Sequence, residues 1–85
     1  MSGNRRQNYA IKKLKIPMKY RLTPREQDVL LQLCKGSTNK EIALSLRIGG
    51  ATVKHNVTSL LNKLGCDNRT ELVSKVLIDN YGGKE

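Results

Sequence analysis

Phenylalanine and tryptophan are absent from these 85 residues, and tyrosine occurs only three times. Leu, Ile and Val must therefore fill the interior, and a domain this small buries a modest core. No apolar run approaches the ~20 residues of a membrane-spanning helix. Met1–Asn8 is not followed by the apolar stretch of a secretory signal. The expected location is cytoplasmic, with no membrane partner, and there Cys34 and Cys66 stay reduced. Cys34 falls on an apolar helix face and reads as a small core residue. Two cysteines and the single histidine, His55, are too few at these spacings for a zinc site, so neither a metal nor a cofactor is expected. The sequence also lacks a nucleophile–base pair, paired carboxylates and a phosphate loop, which argues against an enzyme.

Acid is scarce as well. Sixteen Lys and Arg face seven Asp and Glu, for a formal net charge of +9. A surplus of that size in so short a chain points to a polyanion. Its distribution is uneven, because residues 1–21 contain seven basic residues and no acid, leaving the remainder nearly neutral. The chain divides into a basic, partly disordered arm (1–21), a globular domain (22–80) and a short tail (81–85). Within the arm, Arg5, Arg6, Lys12, Lys13 and Lys15 are candidates for phosphate contacts. From Leu14 onward Ile16, Met18 and Tyr20 alternate with other residues, consistent with a segment lying extended along the domain. Pro17 argues against a helix there.

The domain reads as all-α. Leu22-Thr23-Pro24-Arg25-Glu26 opens the first helix, with Thr23 as N-cap, Pro24 in the first turn and Glu26 closing a capping box. Val29, Leu30, Leu33 and Cys34 form its buried stripe, and Gly36 ends it. Thr38 with Glu41 makes a second box, and that helix buries Ile42, Ala43 and Leu46 while Leu44 falls off the stripe. A third helix runs to Gly65. A fourth starts at Asn68, with Glu71 as box partner, and frays near Tyr81. Tight connections give four helices with a helix-turn-helix at the centre, and no strand-like run occurs in the domain.

In the third helix Val53, Val57, Leu60 and Leu64 make one apolar stripe. At 3.6 residues per turn the opposite face carries Ala51, His55, Thr58 and Asn62, flanked by Lys54 and Ser59. That face has no acid and no large apolar residue, as a helix laid in a DNA major groove requires. A solvated surface helix would look much the same, so the helix alone does not decide between them.

The stretch from Leu22 to about Leu77 closely resembles the LuxR-type helix-turn-helix domain of bacterial transcription regulators. The matching residues are LTPRE, the NKEIA run, TVK, NKLG and NRTEL, in that order. The resemblance implies that the third helix reads bases through Lys54, His55 and Thr58. It implies backbone contacts from Thr38, Asn39 and Lys40 at the start of the second helix, and from Thr52 and Arg69. Ser59, at the flank of the reading face, is a further backbone candidate. It also implies a homodimer formed through the fourth helix, with Val73 as the interface candidate. Two departures stand out. Asn56 occupies the position where the family commonly has His, and Gly49-Gly50 stands where Ser or Thr often caps the helix. The roughly twenty residues before the domain are too few to fold a sensor.

The expected function is a stand-alone, sequence-specific DNA-binding transcription regulator, with double-stranded DNA as partner. Two alternatives use the same fold. One is a modulator that pairs with a larger LuxR-type regulator, and the other is a factor resembling sigma region 4 that engages RNA polymerase at promoters.

Overall fold

A computed structural model describes residues 14–82. The described chain is all-α: α1 (Pro24–Cys34), α2 (Asn39–Leu46), α3 (Gly50–Leu64) and α4 (Arg69–Leu77). A single 3-10 turn (Met18–Tyr20) precedes α1, and a π-type turn (Ile78–Gly82) continues α4.

Side-chain caps start three of the four helices. Thr23 Oγ1 accepts from Glu26 N while Glu26 Oε1 accepts from Thr23 N, and Thr38 and Glu41 repeat the arrangement. At α4 the reciprocal bond slips by one residue. Asn68 Oδ1 accepts from Glu71 N, but Glu71 Oε1 takes the N–H of Asp67. By contrast α3 begins at Gly49, which has no side chain to offer.

Helix ends are equally regular. After α1, α2 and α3 the chain turns through a left-handed residue, and the next N–H reaches back five residues: Ser37 N to Gln32 O, Ile48 N to Ala43 O, Cys66 N to Leu61 O. Such closures satisfy carbonyls that a helix end leaves open. Gly36 and Gly65 hold two of the three left-handed positions, and Arg47, at φ 57°, holds the third. A side chain at that φ crowds its own carbonyl.

The core is made of Val29, Leu30, Leu33, Cys34, Ile42, Val53, Leu60, Leu64, Leu72 and Val76. All four helices contribute, and α3 packs against the other three. Burial pushes the Cys34 thiol up to about 11, so it behaves as an apolar filler. Leu44 is 72% exposed, as its place off the stripe predicts.

One feature extends the sequence reading and one differs from it. Packing against the core begins before Leu22, with Leu14, Ile16 and Tyr20. This strap is clasped at its start by Asn80, whose side chain accepts from Lys15 N and donates to Lys15 O. In α3, Val57 is only half-buried, and Asn56 is buried at 8% exposure. The Asn56 Nδ2 makes no hydrogen bond among the described residues.

Arg47→Gly should raise stability by about 0.5–1 kcal/mol, the relief at the left-handed position exceeding the entropy glycine gains on unfolding. Urea unfolding of the two proteins measures it, and an unchanged or lower midpoint would show that Arg47 is unstrained.

Candidate nucleic-acid interface

The outer arc of α3 follows from which residues the core takes. With Val53, Asn56, Leu60 and Leu64 inward, Ala51, Lys54, His55, Thr58 and Asn62 are all exposed. Helical period gathers them on one side, and none is acidic. Among the described residues the ion pair found is Lys63–Glu26, which leaves Lys54 out of any salt bridge. The arc therefore presents an ammonium, an imidazole, a hydroxyl with its methyl, and an amide.

A second cluster forms where two helices begin. Arg69, in the first turn of α4, donates to Asn39 Oδ1 and to the carbonyl of Ser37. It thereby ties the start of α4 to the start of α2, where Thr38 and Lys40 are exposed. Positive helix ends and basic side chains in one place suit an anion. Thr52 is exposed in the first turn of α3.

Ser59 is placed differently from its expected role as a backbone contact. It is half-buried, and its hydroxyl donates to Glu26 Oε2 at 2.6 Å. Lys63, one turn further along, donates to Glu26 Oε1 at 2.7 Å and to the carbonyl of Arg21 at 3.0 Å. Glu26 itself is 5% exposed. Sequence reasoning assigned this carboxylate to the capping box alone; its second oxygen and Lys63 were missed. No local signal marks them, since the partners lie 33 and 37 residues away.

Burial alone raises the pKa of the Glu26 carboxyl. The hydrogen bonds from Lys63, Ser59 and the Thr23 N–H, with the Lys63 charge, outweigh that effect and bring it from 4.5 to about 2.

In the strap, the Lys15 side chain is exposed while its backbone is clasped by Asn80. Arg5, Arg6, Lys12 and Lys13 lie outside the described residues. Val73 is half-buried on α4, with Leu72 and Val76 buried beside it. No helix among the described residues is long and apolar enough to cross a membrane.

Residues 20–76 match the family model described as bacterial regulatory proteins, luxR family. The chain is 43% identical over 65 residues to the uncharacterized transcriptional regulatory protein YhcZ of Bacillus subtilis (strain 168), covering 76% of this chain and 30% of that protein. It is 44% identical over 52 residues to the transcriptional regulatory protein ComA of the same organism, covering 61% and 24%. With the probable transcriptional regulator ycf29 of Pyropia yezoensis it shares 39% identity over 79 residues, covering 93% and 36%. The chain thus spans about a quarter to a third of the length of these curated relatives.

The Glu26 carboxyl carries a pH prediction. Its folded pKa lies below its unfolded value, so the stability it contributes is fully present above about pH 4.5 and is lost as pH falls through about 2. The size is about 3 kcal/mol at most. Urea unfolding of wild type and Glu26→Gln across that window should show a gap that is widest near neutrality and closes toward about pH 2. A gap independent of pH would show that the charge is not what matters.

Proposed function

This chain belongs to the luxR family of bacterial regulatory proteins, and on that premise we propose that it is the sequence-specific DNA-binding element of a transcription regulator, laying α3 in the major groove. The observation that carries this is the exposed, acid-free arc of Lys54, His55 and Thr58 on a helix backed by three others. Lys54 donates to guanine O6 or N7, His55 to a base acceptor, and the Thr58 methyl packs on a thymine methyl. Thr38, Asn39, Lys40, Thr52 and Arg69 hold the phosphates on either side, and these contacts set register rather than sequence. Arg69 acts in part through Asn39, which it already binds. The basic residues of 1–13 add attraction to any DNA. A duplex-DNA partner puts this activity in the cytoplasm, and it needs no catalytic group.

The same reading makes the protein a homodimer through α4 when bound to DNA, because one such domain spans few base pairs and two symmetric copies read a two-fold site. Val73 and Leu77 are half-buried one turn apart, and Ile78 beyond them is exposed. They offer apolar surface outside the core-facing pair Leu72 and Val76. Exposed Leu44 favours a second reading, a modulator that pairs with a larger regulator, but one exposed leucine is ordinary. A modulator binds its protein partner tightly and every duplex weakly.

Two measurements test these assignments. In the first, a duplex selected from a random pool is compared with random DNA in salt titrations. Lys54→Ala or Thr58→Ala should cost about 1–3 kcal/mol on the selected duplex and much less on random DNA. Deleting residues 1–13 should weaken both duplexes alike and flatten the dependence of log K on log salt. Equal losses from Lys54→Ala on both duplexes would remove it from base reading. In the second, Val73→Glu should convert a two-to-one complex with the selected duplex into one-to-one, read by sedimentation. Unaltered stoichiometry would move the interface off Val73.

A further inference from the structure

The rotation of α3 about its own axis is not the one its apolar residues favour. Val53, Val57, Leu60 and Leu64 define the apolar stripe, with Leu61 beside it. A helix oriented by that stripe buries Val57 and turns Asn56 toward water. The observed helix departs from this, with Asn56 buried and its Nδ2 without a hydrogen bond among the described residues, and with Val57 packed against the core but only half-buried. At about 100° per residue, the mean direction of the buried set is displaced by about 25° from that of the four-residue stripe, and by about 40° when Leu61 is counted with the stripe. The displacement is toward the side that carries Asn56, Ser59 and Lys63. An unpaired amide in the interior opposes it, and so does the lost burial of Val57.

Glu26 supplies the opposing force. Ser59 and Lys63 stand four residues apart on α3, and they hold separate oxygens of one carboxylate, Oε2 at 2.6 Å and Oε1 at 2.7 Å. Two attachments a turn apart on the same side fix both rotation and sliding. The carboxylate is itself immobile, since Oε1 also takes the Thr23 N–H at the start of α1. Hydrogen bonds to a charged group are the strong ones. Breaking them leaves the charge buried and unpaired.

We propose that Glu26 is a positioning residue for base reading, a rotational lock that holds α3 against its apolar preference and so decides which side chains face the groove. The consequence for DNA is direct, and it rests on the reading of α3 given above. Ser59 lies only about 40° round the helix from His55. A helix released to its apolar preference turns by that amount, which brings Ser59 toward the direction now held by His55 and carries Lys54 toward the rim. The lock therefore selects Lys54, His55 and Thr58 as the reading set and keeps Ser59 and Lys63 out of it.

The test uses the full chain in four forms: wild type, Glu26→Gln, Ser59→Ala, and Glu26→Gln with Asn56→Leu. Leucine has the same branched, four-heavy-atom side-chain shape as asparagine, though it is bulkier, and at position 56 it shifts the apolar stripe to the side the lock now holds. The double variant should thus restore the rotation without the carboxylate. The first readout needs no DNA: hydrogen exchange of the Asn56 side-chain amide, with solvent paramagnetic broadening of the Val57 methyls. Wild type should show a protected amide and broadened methyls. Glu26→Gln, and to a smaller extent Ser59→Ala, should show the reverse, and the double variant should recover the broadened Val57 methyls. The second readout is preference for the selected duplex over random DNA, expected to fall about tenfold in Glu26→Gln and to return in the double variant. A merely stabilising role would lower the unfolding midpoint but leave both readouts alone. A folded Glu26→Gln or Ser59→Ala protein with Asn56 still protected and the Val57 methyls still broadened overturns the lock. If wild type prefers no duplex, the DNA reading fails, and the exchange measurement still decides whether Glu26 sets the rotation.

Discussion

One buried carboxylate connects most of what orients this domain. Glu26 closes the cap of α1, accepts from Ser59 and Lys63 on α3, and through Lys63 reaches the carbonyl of Arg21 at the end of the strap. Its loss would free three segments at once. Removing two charges from water often costs about as much as their attraction returns, but here the hydrogen bonds to Glu26 outweigh that cost and lower its pKa to about 2. Beyond that stability the pair provides geometry. Apolar contacts are non-directional and tolerate a helix turned by tens of degrees, whereas two short hydrogen bonds to one carboxylate do not.

The helices were legible from the sequence because their signals are local. Thr23-Pro24-Arg25-Glu26 and Thr38-Asn39-Lys40-Glu41 carry N-terminal caps within four residues, and Gly36 and Gly65 mark ends where a left-handed turn is required. The end of α2 has the same geometry without a glycine. The Leu14–Tyr20 strap was harder. Its alternation hinted at an extended segment, but its anchor, Asn80, lies 65 residues away and leaves no local trace.

The outer arc of α3 was legible as well, and for a reason that also explains why Val57, read as part of the buried stripe, is only half-buried. Helical period assigns residues to faces by counting, and Lys54, His55 and Thr58 are far enough from the stripe that a shift of some 40° leaves them off the buried face, although it carries Lys54 to the rim. Residues at the boundary are sensitive to that same shift. Asn56 becomes buried, Val57 is left half-buried, and Ser59 moves from the flank to a half-buried position. Counting apolar residues finds the face a helix prefers. The face it adopts also depends on polar partners, and Glu26 had already been given a complete local explanation as a capping residue.

On the proposed reading, the two sources of DNA affinity fall on parts of the chain with different physical demands. Phosphate attraction acts through solvent over about a Debye length and asks little of side-chain geometry. The run of basic residues before Leu22, with no acid among them, suits that task. Base reading needs donors held to within a fraction of an ångström, and here the weakest point is the start of α3, which Gly49 caps without a side chain. The anchoring comes from the other end. Ser59 and Lys63 sit in the last two turns, clamped to α1, and Gly65 closes the helix with Cys66 N on Leu61 O. A rigid helix fixed at its C-terminal half transmits that orientation to Lys54 and His55, while the uncapped first turn remains free to adjust to a phosphate. Capping that first turn more strongly would therefore change how the helix enters the groove more than where its side chains point.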